Sequence, residues 1–258
     1  MTMAATQYPL IGVQPACNSS AIGVEVANTT VGYVPLIPVG TIIKVSDPYW
    51  ADLEVIRLQI PAASAAIFVG TLSVLGATYA YLPLPFASNQ GVTVCASLNN
   101  IPVNASFVQY AWFVIGGRYV FNSTATVAAG ALIGIAAAGQ AGANSISKEL
   151  VNTNVVLAAT TTVVKPANLR NGFSTFTVSN SDGLFVGLAL SGTGIPASTS
   201  IGAIDAAGTT VSMVAVGTTT PVNATATGLQ SVTATYNDAT RFWNVVTMSR
   251  PFAQGAIT

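Results

Sequence analysis

The chain has 258 residues, with 8 Lys and Arg balanced by 8 Asp and Glu, no histidine, 51% hydrophobic and only 6% charged residues. The absence of histidine excludes a Ser-His-Asp triad and any histidine-based zinc site. The scattered cations (Lys44, Arg57, Arg118, Lys148, Lys165, Arg170, Arg241, Arg250) form no patch able to neutralise phosphates, which argues against nucleic acid as a partner. Mean hydropathy is +0.61, yet soluble domains usually carry roughly 25% charge. The exposed surface is therefore built from hydroxyls and amides, or is covered by other chains.

The N-terminus, "MTMAATQYPLIGVQPACNSS", has no positive n-region, and Pro9 and Pro15 interrupt its apolar stretch; it does not read as a signal peptide. "QYPLIGVQPA" and "GYVPLIPVG" place prolines in apolar context, which keeps them out of central strands. Residues 1–40 are read either as an extended arm lying on a neighbouring surface or as a loop wrapping their own domain. Tyr8, Leu10, Ile11, Tyr33, Leu36 and Ile37 are its candidate interface side chains. Cys17 and Cys95 are the only cysteines. One disulfide is open to them, but two buried free thiols are the preferred reading.

From Gly40 onward the pattern is β. "GTIIKVSD" alternates, and after Asp47-Pro48 a short turn leads to a strand over Glu54–Ile60, with Leu53, Val55 and Arg57 on one face. "AAIFVGTLSVLGAT" reads as one or two strands bent at Gly70, and "GVTVCAS" as another. "ASFVQYAWFVIGGRYVFN" predicts a strand, a turn at Gly116-Gly117 and a second strand. Tyr110 and Trp112 fall on one face and Phe113 on the other. Such a strand is apolar on both sides, one packed on the core and the other on a subunit interface; an aromatic platform for a sugar or base is the weaker alternative.

The small-residue stretch "TVAAGALIGIAAAGQAGANS" (Thr126–Ser145) poses a choice between helix and strand. Its apolar run Val127–Ala138 is shorter than the roughly 20 residues a membrane helix needs, and Gly130 and Gly134 weaken any helix. It is predicted to form a turn entry, a strand over "ALIGIAA" and a turn at "AGQAG". Leu132 and Ile133 should face opposite ways, and Gly134 should allow close backbone approach. "TTTVVKPANLRNG" (Thr160–Gly172) marks a candidate domain boundary. "STFTVSN", "TTVSMVAVG", "QSVTATYN" and "RFWNVVTMSR" complete the strands. The domains so read are an arm (1–40), a main β domain (41–165), a small β module (166–236) and a C-terminal strand returning to the main domain (237–258).

The chemistry-bearing motifs are sparse. "GTGIPASTSIG" lacks the helix of a dinucleotide site and the Lys of a phosphate loop, so it reads as a turn between strands. Asp47, Asp52 and Glu54 are the one acidic cluster. With Lys44 and Arg57 close by, a local set of ion pairs is preferred over a carboxylate-pair active site. No cofactor or metal is implied.

From "QYAWFVIGGRY" through "VAAGALIG" (Val127–Gly134) and "AAGQA" (Ala137–Ala141), the chain resembles the decoration, or cement, proteins that stud the capsids of tailed bacteriophages; the likeness covers about Phe107–Ser145. "ALSGTGIPASTSIGAIDAAGTTVSMVAV" (Ala189–Val216) looks like a β module found in phage virion proteins. The resemblance implies a non-enzymatic virion structural protein on the outer surface of the phage head, made in the bacterial cytoplasm. Its expected partners are the major capsid protein and copies of itself, as a trimer. A tail-fibre or host-receptor-binding role is the alternative. The expected fold is all-β, with β-sandwich or barrel-like domains, an extended Pro-rich N-terminal arm and very little helix.

Overall fold

The structure, a computed structural model, describes residues 24–27, 34–47, 49–86, 91–145, 148–205, 207–238 and 241–254. It is all-β, with 53% strand and no helix among the described residues. Most of the expected N-terminal arm, including Tyr8, Leu10, Ile11, Cys17 and Tyr33, lies outside them. In chain order the strands are β1 (Glu25–Val26), β2 (Ile42–Asp47), β3 (Ala51–Ile60), β4 (Leu72–Val74), β5 (Val92–Ser97), β6 (Gln109–Ser123), β7 (Ile133–Ala137) and β8 (Gln140–Ala143). They continue with β9 (Glu149–Leu157), β10 (Thr162–Leu169), β11 (Thr175–Val178), β12 (Ala189–Gly192), β13 (Thr199–Ile204), β14 (Thr210–Ala215), β15 (Gly228–Thr235) and β16 (Phe242–Gln254).

Two units result. A 10-stranded sheet runs β2-β3-β6-β8-β7-β9-β16-β5-β4, with β1 added against β6, and a closed barrel runs β10-β11-β14-β13-β12-β15. The barrel is inserted between β9 and β16 of the sheet. Its first and last strands pair from Thr162↔Thr235 to Leu169↔Gly228. β16 returns to the sheet, pairing β6 from Phe242↔Ser123 to Ser249↔Gly116, and β9 beside it. The segment read as a domain boundary therefore holds the first barrel strand. Pro166 is tolerated there because it pairs only Ser231 of β15, while β11 reaches only Ala167 and Asn168 on the other edge.

β6 organises the sheet. One edge pairs β3; the other meets β1 at Tyr110, β5 at Val114 and β16 from Gly116 onward. The expected turn at Gly116-Gly117 is not there: the strand is continuous over 15 residues. The glycines instead serve a β-bulge, where pairing with β3 jumps from Val55↔Val114 to Glu54↔Gly116. Gly117 has φ +108°, and a Cβ on it would lie 2.6 Å from the Asp52 carbonyl oxygen. The extra residue reverses side-chain parity. Trp112 and Val114 before the bulge, and Tyr119 and Phe121 after it, thus join one core.

Both faces of this part of the sheet are buried by the chain itself. Val45, Leu53, Val55, Trp112, Tyr119 and Phe121 share a core that continues through Trp243 and Tyr236 into Phe176, Leu190 and Met213 of the barrel. Ile56, Leu58, Ile60, Cys95, Ala111, Phe113 and Ile115 form a second cluster on the opposite face. Phe113 is thus a core residue, and the face of Tyr110 and Trp112, read as the subunit-facing one, is closed as well.

The small-residue stretch is strand rather than helix, as expected, but the turn is tighter than predicted: residues 140–142 of "AGQAG" belong to a second strand. Residues 133–137 and 140–143 form the β7–β8 hairpin. Leu132 is 58% exposed and Ile133 1%, so they face opposite ways. A Cβ on Gly134 would sit 2.7 Å from the Lys148 carbonyl oxygen; only glycine lets β9 approach so closely.

Candidate functional site

The candidate interface residues part company. Leu36 is 64% exposed, and its N–H donates to Glu25 Oε1 at 3.1 Å. Ile37 is half-buried against the main core. Tyr110 and Trp112 are interior, at 6% and 2% exposure, so they offer no surface to another chain. Their rings instead flank the Arg57 guanidinium, at 5.7 and 5.4 Å from ring centroid to Cζ. Arg57 forms a hydrogen-bonded ion pair with Glu25 of β1. This buried cation in an aromatic box clamps the two-residue β1 to the sheet.

The acidic cluster also disperses. Asp47 Oδ1 accepts the N–H groups of Tyr49 and Trp50 at 2.8 and 2.7 Å and so shapes the β2–β3 turn. Glu54 pairs with Arg250 of β16 at 2.9 Å, and Arg57 turns to Glu25. The expected local set of ion pairs is therefore replaced by pairs that reach distant strands. Among the described residues no cluster of His, Cys, Asp or Glu is arranged to hold a metal ion.

A cleft of about 550 Å³ lies where the sheet meets the barrel. Trp50, Tyr119 and Phe185 line it, with Asp47, Asp182 and Asp205 and the amides of Asn99, Asn100 and Asn180. No cation lines it. Asp205 accepts the N–H groups of Thr210 and Thr209 at 2.9 and 2.7 Å, bonds that hold its carboxyl below the usual range. Behind the cleft the two units are joined by aromatic contacts, Phe185–Trp243 at 5.3 Å and Trp50–Tyr236 at 6.1 Å. The Trp243 indole N–H donates to Val69 C=O at 2.9 Å, and Asn100 Nδ2 donates to Val186 C=O at 3.3 Å.

Asn244 is the buried polar link that sequence reading missed. It is 0% exposed. Its Oδ1 accepts the N–H groups of Val127 and Ala159, at 2.9 and 3.1 Å, and its Nδ2 donates to Ala125 C=O at 3.0 Å. One side chain thus satisfies the turn before β7 and the exit toward the barrel. Asn244→Ala leaves these buried groups unpaired and is expected to cost about 3 kcal/mol, measured by urea unfolding. A loss under about 1 kcal/mol would mean that solvent replaces the amide.

No model of a known protein family matches the chain, and no curated protein or solved structure is significantly similar to it.

Proposed function

We propose that the chain is a non-enzymatic virion structural protein. It binds the assembled head of a tailed bacteriophage from outside and stabilises the shell by bridging neighbouring capsomers. Its partners on this reading are the major capsid protein and further copies of itself, as a trimer. The observation that carries the reading is the Phe107–Ser145 sequence, which resembles head decoration proteins. A surface with only 6% charged residues in the chain, and with Val34, Leu36, Leu82, Phe86 and Leu229 each more than half exposed, supports it. A ligand that binds the assembled shell better than separate capsomers stabilises assembly by mass action. The test mixes purified protein with expanded, undecorated heads. Co-sedimentation and a raised temperature of head rupture are expected; a stable monomer that leaves heads unbound sinks the proposal.

A host-receptor-binding role in a tail fibre is the second reading. The cleft favours it, because carboxylates and amides over an aromatic floor suit a polyhydroxylated ligand. Head localisation by immunogold, together with silence on a glycan array, would remove it.

A further inference from the structure

The large sheet ends unequally. At one end β4 is three residues long and covered: the Val74 N–H donates to Leu82 C=O and the Leu84 N–H to Leu72 C=O, at 2.8 and 3.0 Å. At the other end β2, among the described residues, pairs β3 alone, from Ile42↔Ile56 to Asp47↔Ala51, with no register shift. Natural edge strands are usually very short, bulged, covered, broken by proline or marked by an exposed charge, lysine above all. β2 runs six residues as "IIKVSD", and among the described residues Lys44 is its one such device: it discourages indiscriminate pairing and leaves a partner strand that brings a carboxylate as the exception.

Its free hydrogen-bonding groups follow from the register. The Arg57 N–H donates to Thr41 C=O at 3.0 Å. Bonded and non-bonded pairs alternate in antiparallel strands. Ile43, Val45 and Asp47 therefore turn their backbone groups to β3, while Ile42, Lys44 and Ser46 turn theirs outward. Among the described residues nothing bonds those outward groups. The side chains of Ile42, Lys44 and Ser46 are exposed as well. Lys44 lies opposite Glu54, but Glu54 is taken by Arg250, and Lys44 has no ion pair among the described residues. An uncompensated cation thus sits at the middle of an open edge.

We propose that β2 is a docking edge for an extended segment of a partner protein. The segment adds to the sheet as a further strand and sets a carboxylate beside Lys44. Main-chain bonds to residues 42, 44 and 46 supply the affinity, and Lys44 supplies register and charge preference. A second copy fits less well: two-fold pairing centred on the free groups sets Lys44 against its own mate, and like charges directly opposite destabilise. That the partner is the shell protein rests on the head-binding reading; the edge does not.

The test follows amide exchange by NMR in the full chain. The probes are two capped peptides, Val-Thr-Val-Glu-Val-Thr-Val and its counterpart with Lys at the centre. The Glu peptide is expected to protect the amides of Ile42, Lys44 and Ser46 and to bind about fivefold tighter than the Lys peptide. Lys44→Glu should reverse that order. Lys44→Pro removes an N–H that β3 does not use, so it should abolish binding while the β2–β3 amides stay protected. If Lys44→Pro fails to fold, the reversal by Lys44→Glu decides. Equal binding of the two peptides overturns the proposal. So does protection of the three amides without peptide: if it grows with protein concentration, a second copy occupies the edge, and if it does not, the chain covers its own edge. A chain that ignores phage heads yet shows the peptide preference sinks the head-binding reading and leaves the edge standing.

Discussion

Arg57→Ala is expected to lower the free energy of unfolding by about 3–5 kcal/mol, the range for breaking a buried ion pair. Arg57 is 3% exposed, and its partner Glu25 keeps only 15% side-chain exposure. The substitution strands that carboxylate without its cation. It also empties the space over the Tyr110 and Trp112 rings, whose centroids lie 5.7 and 5.4 Å from the guanidinium carbon. Arg57→Lys keeps the charge but loses the planar group that stacks on both rings, so it should fall between wild type and Ala. Because Glu25 is half of β1, both variants should also loosen the Glu25↔Tyr110 and Val26↔Gln109 pairs, visible as faster amide exchange there. Urea unfolding measures the first effect; an Arg57→Ala loss under about 1 kcal/mol would show that the box contributes no more than a surface pair does.

Raising the pH is expected to unfold the protein steeply. Burial pushes the Cys95 thiol and the Tyr119 and Tyr236 phenols well above their ordinary values of 9.0 and 10.0. Tyr81, less deeply placed, is pushed up to about 12, by burial and then by the neighbouring Cys95. Each of these acids keeps its proton longer in the folded state than in the unfolded one. Their contribution is therefore complete below pH 9 and is lost as the pH climbs past 9 for the thiol and 10 for the phenols. Each group ionised only in the unfolded chain costs about 1.4 kcal/mol per pH unit. Cys95, Tyr119 and Tyr236 together give about 4 kcal/mol per unit above pH 10, and Tyr81 adds less because solvent reaches it. A domain with the usual 5–15 kcal/mol of stability would lose most of it by about pH 12. Urea melts from pH 8 to 12 measure the slope. Stability flat to pH 11 would contradict the burial, and Tyr119→Phe should reduce the slope by about 1.4 kcal/mol per unit.

Much of the β architecture was legible because alternation is a local property. "GVTVCAS" and "TTVSMVAVG" carry their strand pattern within a few residues, and β5 and β14 lie inside them. The turn at Gly139 was legible for another reason, its glycines. Gly116-Gly117 misled because paired glycines between apolar runs carry the signal of a tight turn. What makes them a bulge is Asp52 and Leu53 of β3 pressing on Gly117, a contact between distant parts of the chain. Tyr110 and Trp112 misled likewise. An aromatic strand apolar on both faces looks like one awaiting another subunit, but Arg57 lies over both rings and Trp112 packs into the chain's own core. Arg57 and Asn244 had no local signature at all, since their partners Glu25, Ala125, Val127 and Ala159 are set by topology.

The pairing of β10 with β15 has a consequence for how such a chain can change. Because Thr162 and Thr235 sit side by side, the barrel joins the sheet through a single narrow neck, and its outer strands can be lengthened, shortened or exchanged without moving β9 relative to β16. What constrains that freedom is the underside of the barrel, where Phe185 packs on Trp243 and Tyr236. The barrel is thus a cassette with a fixed plug: free to change at its far end and held to one shape where it caps the sheet.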